Sequence, residues 1–369
     1  LPKLTDSRAA QRRARIRLGV FVNQPRISRR SGALAAGVTA ALALSALAAA
    51  PASAAPAPAA APAETSAGTS ISGAVFAWGL SDEAGSKAFG PGYNLLSAGK
   101  VAKTDAGDLL TQSEWLASAG NTTIQKKQAD GSYATATWAG LSTDTAGAAL
   151  TVGGASSGNR VAIGSGTGTM DATADDADIT WTGDFTVAFY SGLTQFSVSN
   201  PHLVLDGGAG SVTATLSGYG TDMDDSTKFI VLPDTQVTLA TLSGVDVEAA
   251  GFSVDPDYLG VAVTVPAGAT PQLTTGDHWG SFPQSFVDFQ GLTGQSSYWY
   301  SSGGSADAGK VALPVDVTIP DAPTVTVSTT TGLNPEGDTV TVTGTGFLPN
   351  PPATTGTRPP LAGKFTGVY

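Results

Sequence analysis

Between residues 71 and 319 apolar side chains recur at every second position in short runs broken by Gly and Asp. The runs are RVAIG (160–164), ADITW (177–181), DFTVAF (184–189), TQFSVS (194–199), HLVLDG (202–207), SVTATLSG (211–218), QVTLATL (236–242) and VAVTV (261–265). A period of two puts alternate side chains on one face of a pleated strand, so the pattern predicts an all-β, mostly antiparallel sandwich-like domain. Laid out as a hairpin turning at Ser191-Gly192, residues 184–199 set Phe185 opposite Val198 and Val187 opposite Phe196 on a core face. The other face pairs Thr186 with Ser197, Ala188 with Gln195 and Tyr190 with Leu193, so Tyr190 is expected to point away from the core, toward water or a second pocket. Two stretches depart from alternation, and a short helix is expected within each: Ser81–Phe89 and Gly107–Ala119.

The ends of the chain are built differently. Residues 26–54 combine a basic start, an apolar run from Ala33 to Ala50 and a small-residue site at Ala52-Ser53-Ala54, the pattern of a secretory signal peptide cleaved after Ala54. Residues 1–25 stand upstream of it as an over-long leader, which gives 1–54 as the exported signal segment and 55–70 as a Pro/Ala linker. After Pro320-Asp321-Ala322-Pro323 the sequence turns to Val/Thr alternation around Gly-Asp turns, PTVTVSTTTGLNPEGDTVTVTGTGFLPN. This predicts the start of an Ig-like β-sandwich over 320–369, with the chain ending inside it. The run 323–350 resembles the opening of neocarzinostatin-type and other actinobacterial Ig-like modules.

Charge narrows the partners. Nine of the 19 basic residues and one of the 30 acidic ones fall in 1–54, so the remainder carries ten bases against 29 acids, a formal charge of −19. Nucleic acid is therefore not an expected partner, because it demands a basic patch. There is no cysteine, hence no disulfide, thiolate metal site or thiol nucleophile. His202 and His278 lack a second histidine at ligand spacing, and no carboxylate pair or nucleophile–base set can be assembled, so the chain is expected not to be an enzyme. The acidic runs Asp175-Asp176-Asp178 and Asp222-Asp224-Asp225 read as solvated turns.

Aromatic residues carry the remaining signal. In WGSFPQSFVDFQGLTGQSSYWYSSGG (279–304), alternation sends Tyr298 and Tyr300 to one face and Trp299 to the other. Either Trp299 or the tyrosines go inside, and in a binding reading the two tyrosines form a flat platform for a ring-shaped ligand.

Three blocks then fall in a familiar order: FAWGLSDEAGSKAF (76–89), WTGDFTVAFYSGLTQFSVSNPHLVLDG (181–207) and SGYGTDMDD (217–225). Together they resemble the HtaA (haem-transport-associated) domain of exported proteins from high-GC Gram-positive bacteria, over about residues 71–319. The resemblance implies an antiparallel β domain with short helices and, as cofactor or cargo, haem captured at the cell surface. In the family a Trp-Gly block, here Trp78-Gly79, runs into a short helix whose tyrosine ligates haem iron, and a histidine before the second strand supports it. Tyr190 stands where that histidine is expected, and no tyrosine occupies Lys87–Phe89, the nearest being Tyr93. The ligand-binding candidates are thus Tyr190, Tyr93, Tyr298, Tyr300 and Trp78, with both family ligand positions substituted.

The function expected is that of a secreted or cell-wall-associated envelope protein that captures haem or another flat hydrophobic ligand, with haem, a haem-carrying protein or other envelope components as partners. The alternative is a structural or adhesive envelope protein whose HtaA fold has lost its ligand.

Overall fold

A computed structural model describes residues 68–90, 92–105, 107–221, 229–321, 324–334 and 336–345. The chain divides into units Leu1–Ala63 and Glu64–Tyr369. The signal segment, most of the Pro/Ala linker, the Asp222-Asp224-Asp225 run and residues 346–369 lie outside the described residues.

The second unit is built on antiparallel strands β1 (Thr69–Trp78), β2 (Leu95–Ala98), β3 (Ser118–Ala119), β4 (Thr122–Lys127), β5 (Tyr133–Thr135), β6 (Asn159–Asp171), β7 (Asp176–Thr180), β8 (Asp184–Phe189), β9 (Thr194–Asp206), β10 (Ala209–Thr221), β11 (Phe229–Leu242), β12 (Gly251–Val254) and β13 (Val315–Thr318). They form one sheet whose main path runs β11-β10-β9-β7-β6-β1-β13-β12, with β8 and β2 continuing from β9, and β3, β4 and β5 from β6. The all-β, sandwich-like class expected from the alternation is what the chain adopts. A separate two-stranded hairpin, β14 (Thr324–Val327) with β15 (Val342–Thr345), holds the Val/Thr repeat of the C-terminal region, and its strand residues are all exposed.

Strand β9 organises the layers. Its first half pairs with β8 and its second half with β7, while β10 runs along its other edge. The change of partner falls at Asn200-Pro201, where Asn200 takes φ 51° and proline supplies no N–H for a ladder. The strands expected at 194–199 and 202–207 are therefore one bent strand. Phe185↔Val198, Val187↔Phe196, Thr186↔Ser197 and Ala188↔Gln195 pair as the alternation requires. The polar face of this hairpin is nonetheless buried: Thr186 Oγ1 donates to Gly99 O at 2.8 Å and accepts from Val101 N at 2.9 Å. Gln195 Nε2 donates to Val101 O at 3.0 Å, so the loop after β2 covers that face by satisfying its side chains.

Three local expectations are corrected. VAVTV (261–265) is no strand, because side-chain amides replace a partner strand: Gln272 Oε1 accepts from Val263 N at 3.0 Å and Gln284 Oε1 from Thr264 N at 2.8 Å. Gly107–Ala119 makes a single turn at Thr111–Trp115 and no helix. Its backbone is recruited elsewhere, Leu110 N donating to Ser191 O at 2.7 Å, and the Trp115 indole is sunk against Leu96 O at 2.8 Å. In Ser81–Phe89 the helical part shrinks to a 3-10 turn, Asp82–Gly85.

Helix α1 (Gln284–Thr293) covers the sheet through Phe286, Val287 and Phe289, all buried. Phe282, Phe286 and Trp299 meet Phe196 and Phe189 of the β8–β9 hairpin in a cluster of edge-to-face and tilted rings with centroids 4.8–5.8 Å apart. Such pairs add about 0.5–1.5 kcal/mol each beyond area burial. Helix α2 (Asp307–Lys310) closes over the Asp82–Gly85 turn.

Candidate functional site

The turn between β8 and β9 is Tyr190-Ser191-Gly192, with φ 52°, 58° and 99° in succession. Two consecutive non-glycine residues in the left-handed region cost roughly 1–2 kcal/mol each, so the surroundings must over-determine them. They do so from separate stretches of chain. Tyr190 N donates to Asn94 Oδ1 at 3.1 Å, Ser191 N to Tyr93 O at 2.7 Å, and Ser191 Oγ accepts from Tyr93 N at 3.1 Å. The buried Lys103 ammonium donates to Gly192 O at 2.8 Å and Asp108 O at 2.5 Å. At Gly92 a Cβ would fall 2.5 Å from Ser191 Oγ, so this close approach requires glycine.

The turn presents the Tyr190 side chain, half-buried, to Tyr298. Their hydroxyls are hydrogen-bonded and their rings meet edge-on at 6.2 Å, while Tyr298 also packs on Phe189 at 4.5 Å. Burial, then the bond to Tyr190, pushes the Tyr298 phenol well above the ordinary tyrosine range, so it stays neutral. The expectation that Tyr190 points away from the core is corrected: half-buried Tyr190 and Tyr298 pack against the core beside Phe189, because the left-handed φ at Tyr190 ends the strand alternation.

The five candidates separate into two groups. Tyr190, Tyr298 and Tyr93 come together, Tyr93 through its backbone contacts with Ser191. Its ring lies 4.9 Å from Lys87 Nζ, whose hydrogens also go to Gly92 O at 2.7 Å and Gly90 O at 3.2 Å. Trp78 and Tyr300 stand in the core: Trp78 is buried with its indole donating to Leu313 O at 2.8 Å, and Tyr300 is buried with its hydroxyl donating to Thr270 O at 2.6 Å. The expected tyrosine platform does not form, because Ser296–Tyr298 is a 3-10 turn and strand alternation does not apply to it. Trp299 and Tyr300 are both fully buried, and Tyr298 alone faces Tyr190.

Beside this group is a cleft of about 280 Å³ lined by Asp82, Glu83, Lys87, Phe89, Ser156 and Gly309, among others. Phe89 is 62 % exposed at this cleft, and Leu193 is 41 % exposed next to the Tyr190 turn. Glu83 is the site residue that sequence reasoning missed. It is buried, and desolvation raises its carboxyl to about 7 against the opposing pull of Ser86, Lys310 and Asn94.

The residues match haem in donor chemistry and not in space. A phenol whose oxygen faces a neutral hydroxyl donor suits an oxygen ligand for ferric iron. The cleft, however, falls just short of the roughly 300–1,000 Å³ of small-molecule sites, and neither Tyr190 nor Tyr298 lines it. Among the described residues no group of three or more His, Asp or Glu is placed to hold a metal ion, and no helix is long and apolar enough to cross a membrane. His202 pairs with Asp178 at 2.7 Å on the exposed face of the sheet, away from this group.

No family model, curated protein or solved structure matches this chain.

Proposed function

We propose that the protein is an exported, non-catalytic envelope protein of the HtaA type, which takes a flat hydrophobic ligand, with haem the first candidate, on the surface beside Tyr190. The observation that carries this is the strained Tyr190-Ser191 turn, fastened by Asn94, Tyr93, Leu110 and Lys103. Strain of this kind is retained where a side chain must be held in place. Phe89 at the cleft and Leu193 after the Tyr190 turn are exposed and supply apolar area for a flat ring system. In this reading Tyr190, Tyr298 and Tyr93 border the face on which the ligand is taken. The linker and the Ig-like region after Pro320 serve to present the domain outside the cell.

The second reading, a structural or adhesive scaffold without ligand, is favoured by one specific feature: the two hydroxyls already satisfy each other.

Titration of the full chain with ferric haem, followed by absorbance, separates the two. A ligand-binding protein gives a tyrosinate-type spectrum that Tyr190→Phe weakens, while Tyr300→Phe leaves it unchanged. Weak uptake that neither Tyr190→Phe nor Tyr93→Phe alters supports the scaffold. A histidine-type spectrum lost on replacing His202 or His278 overturns the location of the site.

A further inference from the structure

Three separated stretches of chain build the cleft. Asp82, Glu83 and Phe89 come from the segment after β1, Ser156 from the loop before β6, and Gly309 from α2. Glu83 lines the cleft although it is only 7 % exposed, and its Oε1 accepts from Asn94 Nδ2 at 3.3 Å. Its Oε2 accepts no hydrogen bond among the described residues; the Ser86 hydroxyl directs its hydrogen to Glu83 O at 3.1 Å. Gly309 leaves room beside that oxygen, since a Cβ there would stand 3.7 Å from Glu83 Oε2. Asp82 Oδ1 accepts from Ser156 Oγ at 2.5 Å, which ties two of the walls together, while Oδ2 accepts nothing among the described residues. Phe89 adds an exposed aromatic face to the same lining.

A carboxylate oxygen left without a donor in a recess is completed by a ligand that brings one. Charge narrows the class. Lys87 on the lining and Lys310, whose charge reaches the Glu83 carboxyl, stand against a cation, while Asp82 and Glu83 stand against an anion. The volume of about 280 Å³ suits one six-membered ring with its substituents and falls short of a tetrapyrrole. We propose that the cleft is a carbohydrate subsite for a single neutral pyranose ring, whose hydroxyls donate to Asp82 Oδ2 and Glu83 Oε2 and whose C–H face packs on Phe89. The C–H bonds of a sugar carry partial positive charge and meet the negative face of the aromatic ring. The proposal goes beyond the Tyr190 reading and does not rest on it, since neither Tyr190 nor Tyr298 lines the cleft.

The test is saturation-transfer NMR on the full chain with the methyl pyranosides of glucose, galactose, mannose and N-acetylglucosamine. Choline, acetate and cyclohexanol serve as probes of a cation, an anion and a bare ring. At least one pyranoside should receive saturation through its ring C–H protons and shift the Gly309 amide, and the three other probes should do neither. Phe89→Ala, a change at an exposed side chain, should weaken that pyranoside about tenfold. Gly309→Leu, which fills the recess before Glu83 Oε2, should abolish its binding, and His202→Ala on the exposed sheet face should leave it unchanged. Should Gly309→Leu fail to fold, the loss in Phe89→Ala decides the location. No transfer to any pyranoside overturns the proposal, as does undiminished binding in Phe89→Ala. A Gly309 amide moved by choline, acetate or cyclohexanol and by no pyranoside overturns the ligand class. Haem uptake without pyranoside binding sinks the cleft proposal alone, whereas pyranoside binding without specific haem uptake supports it and sinks the haem reading.

Discussion

Strand β9 is entered and left through tight turns that make the same backbone demand and meet it differently. At its far end Gly207 and Gly208 take φ 57° and 75°, values that glycine adopts freely. At its near end Tyr190 and Ser191 take φ 52° and 58° with side chains attached. The glycine turn is fastened by neighbours on the sheet: Gly207 N donates to Asp176 Oδ1 at 2.8 Å, and Gly208 N to Asp175 O at 2.9 Å. The tyrosine turn needs anchors from Tyr93, Asn94, Lys103, Leu110 and Tyr298. A hairpin that only had to reverse the chain would resemble the first. The second spends stability to hold one phenol in one place, which is why the functional reading is centred there.

The largest expected effect separates the two turns by pH. In the folded protein Glu83 holds its proton up to about 7, against 4.5 for an unperturbed carboxyl. Between those values the folded state binds the proton and the unfolded state does not, so stability falls as pH rises, and above about 7 the full penalty is present. Glu83→Gln removes that penalty while keeping an acceptor for Asn94. It should therefore stabilise the protein at alkaline pH by up to about 3 kcal/mol, with the gain vanishing on acidification below the ordinary glutamate range. Urea unfolding of both proteins across that range reads it directly, and a constant difference would mean that Glu83 is not desolvated. Amides of Gly207 and Gly208 should show no transition governed by Glu83.

Next in size is the steric side of the comparison. Gly208→Ala adds a Cβ 2.6 Å from Val245 O on top of a left-handed φ, whereas at Gly207 nothing lies within 4 Å. The expected losses are about 2 kcal/mol or more at Gly208 and about 1 kcal/mol at Gly207, measured by denaturant unfolding. Equal losses would show that only φ matters in this turn, and would weaken the strain argument for Tyr190.

How much of this was legible in the sequence depends on how local the cause is. The pairing of Phe185 with Val198 and Val187 with Phe196 follows from a period of two and a short turn, both contained in the hairpin itself. VAVTV carries the same period but has no partner strand, since its donors go to Gln272 and Gln284, and nothing inside the run announces that. Tyr298-Trp299-Tyr300 misleads because a 3-10 turn replaces the strand on which alternation depends. Helix α1 does carry a local signature, with Pro283 at its start, Phe286, Val287 and Gln290 at helical spacing, and Gly294 at its end. Of the candidate site, Tyr190, Tyr93 and Tyr298 were named from sequence. Glu83 was not, because its burial depends on Asn94 and on helix α2, more than 200 residues further along the chain.

A smaller effect tests the phenol itself. Tyr190→Phe keeps the ring against Tyr298 and deletes the hydroxyl pair, at an expected cost of about 1 kcal/mol. The Tyr298 phenol should then titrate at lower pH, since the Tyr190 bond is one of the causes that hold it up. Ultraviolet titration of the tyrosines measures that shift. An unaltered Tyr298 would mean that the hydroxyl contact contributes nothing to the site.

The smallest net change is expected at Ser191, where two effects oppose each other. Ser191→Gly relieves a left-handed residue, a gain of about 1 kcal/mol, but removes the Oγ that accepts from Tyr93 N and loosens the unfolded chain, a loss of similar size. Ser191→Ala loses the hydroxyl and keeps the strain. The difference in unfolding free energy between the two variants therefore reads the backbone strain alone, apart from the glycine entropy term, and the hydroxyl cancels. If alanine is the less stable of the two, the turn is strained as its φ values imply, and Tyr190 is held in place against a real opposing force. If alanine is the more stable by the ordinary glycine-to-alanine margin, the turn costs nothing, and the contrast with Gly207-Gly208 loses its functional meaning.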